Sequence, residues 1–415
     1  MGVLGLGRMA WRNLWRQVRR TLITVLSVAF GVFLAVLMTG LQDRNWEDVI
    51  NTAARLGGGH VTLEHPDFRD KPSLSRTVHA PPALLAELAQ QEHVVRVVQR
   101  ISGQVMLSTT ADSFGAGFIA YDPAREDEST LSLLEAVKQG ARFATSADGG
   151  MVLGERLARN LGAELGSKVV YTVTDERGEI VSGLARVSGI MRTGAPSVDL
   201  GMCLLPLDAV RRVLGYAPDE STQVAVFLDT QRRAEDVVQA LAGLAGRDVA
   251  VRTWRETQPD LVSIIKVKRA GMLFFEFLIL VLCAAGIFNT LFVSVMERLR
   301  EFGILTAIGF GPVRLFGMVM LESLWVGLLG LVAALGITAW PYHYLATTGW
   351  DLSAVYGTQN ADIAGVGMSM VMHVGIYPDH AAVIAVSAVV ATLLAGLYPA
   401  WRAGRVEPVE AIKLV

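Results

Sequence analysis

His60, Glu64 and His65 are the residues whose types come nearest to a metal site, with two imidazoles and a carboxylate close together in the chain. Their spacing matches no recognised ligand set, and they sit in a strand-like run beside a glycine turn, so a surface cluster without metal is expected. Gly57-Gly58-Gly59 offers backbone N–H groups to an anion only if a helix starts after it; none does, and a tight turn is the expected role. Glu276 and Glu322 lie inside apolar runs, where proton or ion relay is the chemistry a carboxylate would serve. No basic residue or chain of acids accompanies them in those runs, so a contact within a helix bundle, or reach to the membrane interface, is expected instead. The phosphate loop G-x-x-x-x-G-K-[ST], the helix H-E-x-x-H and the turn G-x-S-x-G are all missing from the sequence. The chain is therefore expected to bind no cofactor and not to hydrolyse a nucleotide by itself.

The elements that must position these residues follow from composition. Of 415 residues, 52% are hydrophobic and 18% charged, with a mean hydropathy of +0.41, which indicates a membrane protein of more than one domain. The formal net charge of −2 points to no nucleic-acid partner. Cys203 and Cys283 are the only cysteines, the second inside an apolar run, and no disulfide is expected.

Residues 1–20 carry Arg8, Arg12, Arg16, Arg19 and Arg20 and no acid. With Trp11, Leu14, Trp15 and Val18 on another face, this reads as a basic amphipathic helix in the headgroup region. Thr21–Leu41 is uncharged and long enough to span a hydrocarbon core of about 30 Å, and longer than the roughly 7–15 apolar residues of a signal peptide, so a retained span is expected. Further spans are expected at 270–295, 315–340 and 381–400. Between the first two, 42–269 reads as a soluble α+β domain, with strands near 59–64 and 168–173 and helices near 82–91, 154–165, 206–215 and 233–245. Residues 341–380 read as a loop with a re-entrant or surface-lying piece near 363–376. No Lys or Arg occurs between Arg314 and Arg402. By the positive-inside rule both termini and the 296–314 connection are then cytoplasmic, and the large domain is outside the cytoplasm.

The connection is the most informative stretch. Glu297, Arg298, Arg300 and Glu301 open it, and Leu299, Phe302, Leu305 and Ile308 recur at helical spacing, giving a short amphipathic helix. Gly309-Phe310-Gly311-Pro312 ends it. In the preceding span, Gly286, Thr290 and Ser294 form a small-residue face on which another helix can pack.

Glu297-Arg298-Leu299-Arg300-Glu301-Phe302-Gly303-Ile304-Leu305-Thr306-Ala307-Ile308-Gly309 resembles the coupling-helix signature of FtsX-like ABC transporter permeases. Pro399, Ala400 and Ala403, with Pro408 and Ala411 beyond them, resemble the same family's C-terminal ending. Gly154-Glu155-Arg156-Leu157-Ala158, the Leu161-Gly162 to Leu165-Gly166 stretch, Val187-Ser188-Gly189-Ile190 leading to Thr193-Gly194 and Asp199, and Trp254-Arg255-Glu256 are similar to the outer domain of the MacB and lipoprotein-releasing (LolC/LolE) type. The resemblance implies an α-helical membrane protein with four transmembrane helices and an inserted extracytoplasmic α+β domain of Porter-like and Sabre-like parts. It implies a bacterial inner-membrane location and no ATPase in this chain. ATP and Mg would sit on a separate cytoplasmic ABC ATPase dimer. A second permease subunit, identical or not, a lipoprotein substrate, a periplasmic carrier and membrane lipids are the other implied partners.

On this resemblance Glu297, Arg298, Arg300, Glu301, Phe302, Gly303, Leu305, Ala307 and Gly309 would couple to the ATPase. Phe302 and Leu305 would be apolar anchors, and Arg298 and Glu301 orienting charges. Motion would pass mechanically to the outer domain and drive lipoprotein release. Val36, Leu37, Phe274, Phe275 and Leu278 are candidates for an acyl-chain cleft. Export of peptides or toxic compounds, and regulation of an extracellular cell-wall hydrolase, are the alternatives.

Overall fold

The structure, a computed structural model, describes residues 3–175, 177–246, 248–351, 362–363, 366–367 and 371–405. Contacts divide the chain into two compact units. Met1–Asn45, Lys266–Asp351 and Val371–Val415 form one, and Trp46–Ile265 is the body of the other.

Helix α1 (Val3–Leu14) leads through a short 3-10 turn, Trp15–Gln17, into α2 (Val18–Leu56). The helix outlasts its uncharged run because a second pattern takes over. Trp46, Val49, Ile50, Ala53 and Leu56 recur three or four residues apart and make one apolar stripe. That stripe packs with Leu63, Val226, Leu241 and Trp254 in a core of the second unit.

The second unit continues through β1 (Val61–Glu64), β2 (Val78–His79), α3 (Pro82–Ala89), β3 (Val94–Ser108), β4 (Ser113–Tyr121), β5 (Val137–Gly140), β6 (Gly150–Gly154) and α4 (Glu155–Asn160). There follow β7 (Lys168–Thr174), β8 (Ile180–Met191), α5 (Pro196–Gly201), β9 (Met202–Pro206), α6 (Leu207–Leu214), β10 (Glu220–Ser221), β11 (Gln223–Leu228), α7 (Ala234–Ala245), β12 (Ala250–Thr253) and α8 (Trp254–Thr257). The helix expected over 154–165 stops at Asn160 because Gly162 adopts a φ of 58°.

The main sheet runs β12-β1-β11-β3-β4-β9-β6-β8-β5, with β7 against β3 and β8. Its longest strand, β3, changes partner midway, pairing with β11 up to Arg100 and with β4 from Ile101. The unit accordingly has two lobes. One core surrounds Leu63, Leu88 and Val226, and the other Phe118, Leu153 and Leu205. The Thr193-Gly194 and Asp199 motif closes a turn in the second lobe: buried Asp199 accepts from the Thr193 amide and hydroxyl, both at 2.7 Å, and from the Gly194 amide at 3.3 Å.

His60 and Glu64 depart from the expected surface cluster, because both are buried. Gly59, at a φ of 83°, folds the chain so closely against β11 that a Cβ would lie 2.6 Å from the Val226 carbonyl oxygen, and this drives His60 inward. Glu64 is ion-paired with Arg69 at 3.0 Å and Arg252 at 3.3 Å, while His65 Nδ1 accepts from the Asp67 amide at 3.2 Å. Among the described residues no group of three or more His, Cys, Asp or Glu could hold a metal ion.

The His60 ring is fixed as a neutral tautomer. Nδ1 accepts from the Leu228 amide at 3.1 Å, so the proton lies on Nε2, which donates to Asn51 Oδ1 at 2.9 Å. Burial, helped by the nearby Arg55 charge, lowers its pKa from 6.5 to about 4. Between those values the unfolded chain binds a proton that the folded chain refuses, so the stabilisation is complete above pH 6.5 and is lost as pH falls towards about 4. At roughly 1.4 kcal/mol per pH unit, unfolding at pH 5 should cost about 2 kcal/mol less than at pH 7. Denaturant unfolding of the full chain at both pH values checks this, and a His60→Gln chain should lose most of the difference.

From Lys266 on α9 (Pro259–Glu297) the first unit resumes, with α10 (Leu299–Ala307), α11 (Pro312–Thr347), the short strands β13 (Trp350–Asp351) and β16 (Val371–Met372), and α12 (Pro378–Gly404), while the strands β14 (Asp362–Ile363) and β15 (Val366–Gly367) between them group with the second unit. Helix continues past Trp340 through Pro341 to Thr347 and starts again at Pro378, so both ends of the expected 341–380 loop are helical. Strand β13 pairs antiparallel with β16. Among the described residues four helices are long and apolar enough to cross a membrane: Gly5–Leu56, Pro259–Glu297, Pro312–Thr347 and Pro378–Gly404. With the α+β unit inserted between the first two, the fold is that of a four-span α-helical membrane protein. Close helix approach rests on missing side chains, since a Cβ at Gly396 would lie 2.2 Å from Ser323 Oγ and one at Gly330 2.4 Å from Val28 Cγ1.

Candidate functional site

The connection between α9 and α11 is built around one buried ion pair. Helix α9 breaks at Arg298, whose φ of −99° and ψ of 9° leave the helical region and turn its side chain inward. Arg298 Nη1 meets both oxygens of Glu322, at 3.0 and 3.2 Å, and its Nε reaches Glu301 at 3.3 Å. Its guanidinium lies 5.1 Å from the centre of the Phe302 ring, a cation–π distance. Asn13 of α1 donates to the same Glu322 carboxylate at 2.7 Å. A carboxylate inside an apolar helix needs such partners, because a buried charge is tolerated only when paired and hydrogen-bonded.

The basic N-terminal helix completes the arrangement. Arg16 grips Glu301 through two hydrogen bonds of 2.9 and 3.1 Å, and Arg20 Nη2 donates to Glu297 at 2.8 Å. These pairs are largely exposed and contribute little to stability, but they tie the 3-10 turn and the start of α2 to the connection. A cavity of about 190 Å³ lies among these groups, with Thr21, Thr24, Thr290 and Ser294 also in its wall.

Beneath α10 lies an apolar cluster. Phe302 is fully buried with Val295, Leu315, Met318, Val319, Ala400 and Ala403, and Leu305 and Phe310 pack at its edge. This corrects the expectation that Phe302 anchors an outside partner, since the ring belongs to this chain's own core. Gly303 is buried too, and Arg298 faces Glu322 rather than solvent. The opposite face is bare: Ile304 is 50% exposed, Ile308 71% and Val313 81%, flanked by exposed Arg300, Ala307, Gly309 and Arg314. Gly309 makes the turn with a φ of 98°, and Pro312 starts α11.

The other sequence-derived residues divide by location. Pro399, Ala400 and Ala403 are buried on α12, the last two in the cluster under α10. Pro408 and Ala411 lie outside the described residues. Gly286 is exposed, with open space where a Cβ would stand, so the small-residue face packs on no helix of this chain at that level. Thr290 bonds the Gly286 carbonyl at 2.9 Å, and with Ser294 it lines the cavity instead. Of the suggested acyl-chain residues, Leu37 is buried and Val36 half-buried, while Phe274, Phe275 and Leu278 are exposed. Glu276, beside them, accepts from the Thr39 hydroxyl at 2.8 Å, which ties α9 to α2.

Glu322 makes the contact within the helix bundle expected of it, whereas the parts of Asn13, Arg16 and Arg20 in this site were not anticipated from sequence. Their signal was present: an acid-free basic segment must find its counter-charges elsewhere, and Arg16 and Arg20 share a four-residue spacing with Glu297 and Glu301.

Comparison with known proteins gives two family matches, "FtsX-like permease C-terminal" over residues 273–408 and "MacB-like periplasmic core domain" over residues 21–244. Among curated relatives, the lipoprotein-releasing system transmembrane protein LolC of Xylella fastidiosa is 25% identical over 277 residues, covering 63% of this chain and 64% of that protein. LolC of Neisseria meningitidis is 22% identical over 413 residues, covering 95% of this chain and 94% of its own length. The macrolide export ATP-binding/permease protein MacB of Hyphomonas neptunium is 25% identical over 421 residues, or 98% of this chain and 60% of that protein. The chain thus spans just under two thirds of the Xylella relative. With the core-domain match covering more than half of its length and the C-terminal match covering the connection and the last two spans, the chain belongs to the FtsX-like permeases that carry a MacB-like periplasmic core domain.

Proposed function

We propose that this chain is the permease subunit of an ABC transporter that releases lipoproteins from the bacterial inner membrane, with α10 as the surface on which a separate ATPase acts. The single observation that carries this reading is the two-sided character of α10. Its inner face is locked by Phe302 and the Arg298–Glu322 pair, while Ile304 and, just past its end, Ile308 stand bare on the outer side, next to exposed Val313 at the start of α11. A bare apolar rim on a firmly seated helix suits a protein partner that pushes. The arginine distribution supports placing both termini and α10 in the cytoplasm and Trp46–Ile265 in the periplasm. ATP and Mg belong to the partner ATPase dimer, a second permease subunit completes the membrane part, and a periplasmic carrier takes the cargo. The LolC relatives, named as lipoprotein-releasing system proteins, support lipoprotein as that cargo. The MacB relative, matching nearly the whole chain, favours export of a peptide or toxic compound as the second reading.

Purification of the full chain from native membranes in mild detergent, followed by protein and lipid mass spectrometry, separates the two. Lipoprotein release predicts an ABC ATPase together with triacylated protein. Export predicts the ATPase with an unacylated peptide or small molecule, and recovery of a cell-wall hydrolase alone would contradict both.

A further inference from the structure

Arg100 is completely buried in the α+β unit, and no part of the proposed ATPase contact uses it. A guanidinium in that position needs acceptors on several sides, and it finds them on two segments. Its Nε donates to both oxygens of equally buried Glu126, at 3.0 and 3.1 Å, its Nη2 to the Thr130 carbonyl at 2.7 Å, and its Nη1 to the Gly57 carbonyl. The Phe227 ring lies 5.6 Å from its Cζ.

Gly57 directly follows α2, where helix carbonyls lack intrahelical donors and the helix dipole is negative, so Arg100 caps that long helix. Gln258, the residue before α9, holds the same terminus by donating to the Ala53 carbonyl at 3.0 Å. Arg100 is also the residue at which β3 passes from one lobe to the other: it is the last opposite β11, and Ile101 is the first opposite β4. Glu126 and Thr130 belong to the segment after β4. Alongside the junction runs a cleft of about 440 Å³, with Leu85 of the first lobe on one wall, Leu207 and Arg211 of the second on the other, and Glu126 among its lining. The lobes therefore have room to move beside a charged joint, of which Arg100–Glu126 is the buried member and Arg96–Asp127 at 2.7 Å and Arg55–Glu135 at 3.2 Å are the more exposed ones.

We propose that Arg100 is a positioning residue for the transport cycle: by clamping the end of α2 to the crossover point of β3, it turns movement of that helix into movement of one lobe against the other. This rests on the reading that an ATPase moves the helices, and the test keeps the two apart. Spin labels at Glu87→Cys on α3 and Arg212→Cys on α6, in a Cys283→Ser background, report lobe separation by pulsed EPR on the full chain with its ATPase in nanodiscs. The comparison chain carries Arg100→Met and Glu126→Met together, which leaves no lone buried charge, and its fold must survive loss of the donor to the Gly57 and Thr130 carbonyls. An unchanged unfolding temperature verifies that.

ATP with vanadate should shift the label distance in the unaltered chain, and the double variant should lose the shift while ATP hydrolysis continues. A shift of equal size in the variant overturns the proposal, as does no shift in a parent complex that hydrolyses ATP. If the double variant does not fold, Arg100→Lys, which keeps the charge but not the fork, should show a reduced shift; a full one overturns the proposal. If no ATPase associates, the functional reading fails by itself, and hydrogen exchange on the isolated chain decides the joint. The double variant should then exchange about tenfold faster at both the Gly57 and Leu131 amides, and acceleration at only one of them rejects the clamp.

Discussion

Arg298→Ala should destabilise the membrane unit by about 3–5 kcal/mol, because it leaves the buried Glu322 carboxylate with the Asn13 amide but no balancing charge. The side chains of Arg298 and Glu322 are 11% and 9% exposed, so only the small cavity beside them could offer water in place of the lost guanidinium. Removing both charges should be far milder: Arg298→Met with Glu322→Met exchanges an ion pair for apolar volume, which is often neutral or stabilising. Thermal unfolding in detergent of the two single variants and the double variant gives the coupling between the residues. A single variant as stable as the parent would show that Glu322 does not depend on Arg298. The exposed Arg16–Glu301 pair provides a contrast, since Arg16→Ala should move the melting temperature little but loosen the 3-10 turn after α1 from the connection.

Phe302→Asp and Ile304→Asp alter positions two residues apart and should fail in opposite ways. The first removes a fully buried ring, which alone costs about 3–5 kcal/mol, and leaves a carboxylate without a partner among Val295, Leu315, Met318 and Ala400. The chain should then be cleared from the membrane. The second, combined with Ile308→Asp, changes exposed side chains and should alter stability by no more than about 0.5 kcal/mol per substitution. Membrane levels should match the parent while ATPase association and cargo release are lost. Quantitative immunoblotting of membranes, beside ATPase recovery on purification, distinguishes the outcomes. Equal loss of protein in both variants would mean that α10 has no free outer face.

How much of this was legible in the sequence depended on whether the pattern was local. The spans, the connecting helix and its glycine end were readable because hydropathy, helical spacing and Gly309-Phe310-Gly311-Pro312 are properties of contiguous residues. Which side of α10 faces inward was not, because Phe302 and Ile304 are equally apolar, and Ala400 and Ala403 on a distant helix decide between them. Burial of His60 and Glu64 was hidden for a similar reason: their counterparts Leu228 and Arg252 join them only through sheet pairing. The Arg298–Glu322 pair crosses the boundary between connection and span, so a search for partners within the spans misses it. The Arg100 joint requires knowing where β3 changes neighbours, which its sequence does not mark.

The most direct test of the central claim places a photocrosslinking benzoylphenylalanine at Ile308, with Trp340 on α11 as the comparison site, in cells expressing the full chain. The account predicts an ultraviolet-dependent adduct between Ile308 and an ABC ATPase and none from Trp340. Labelling of an Ile308→Cys chain by a membrane-impermeant reagent from outside the cell, or adducts from Ile308 to lipid alone, would contradict it.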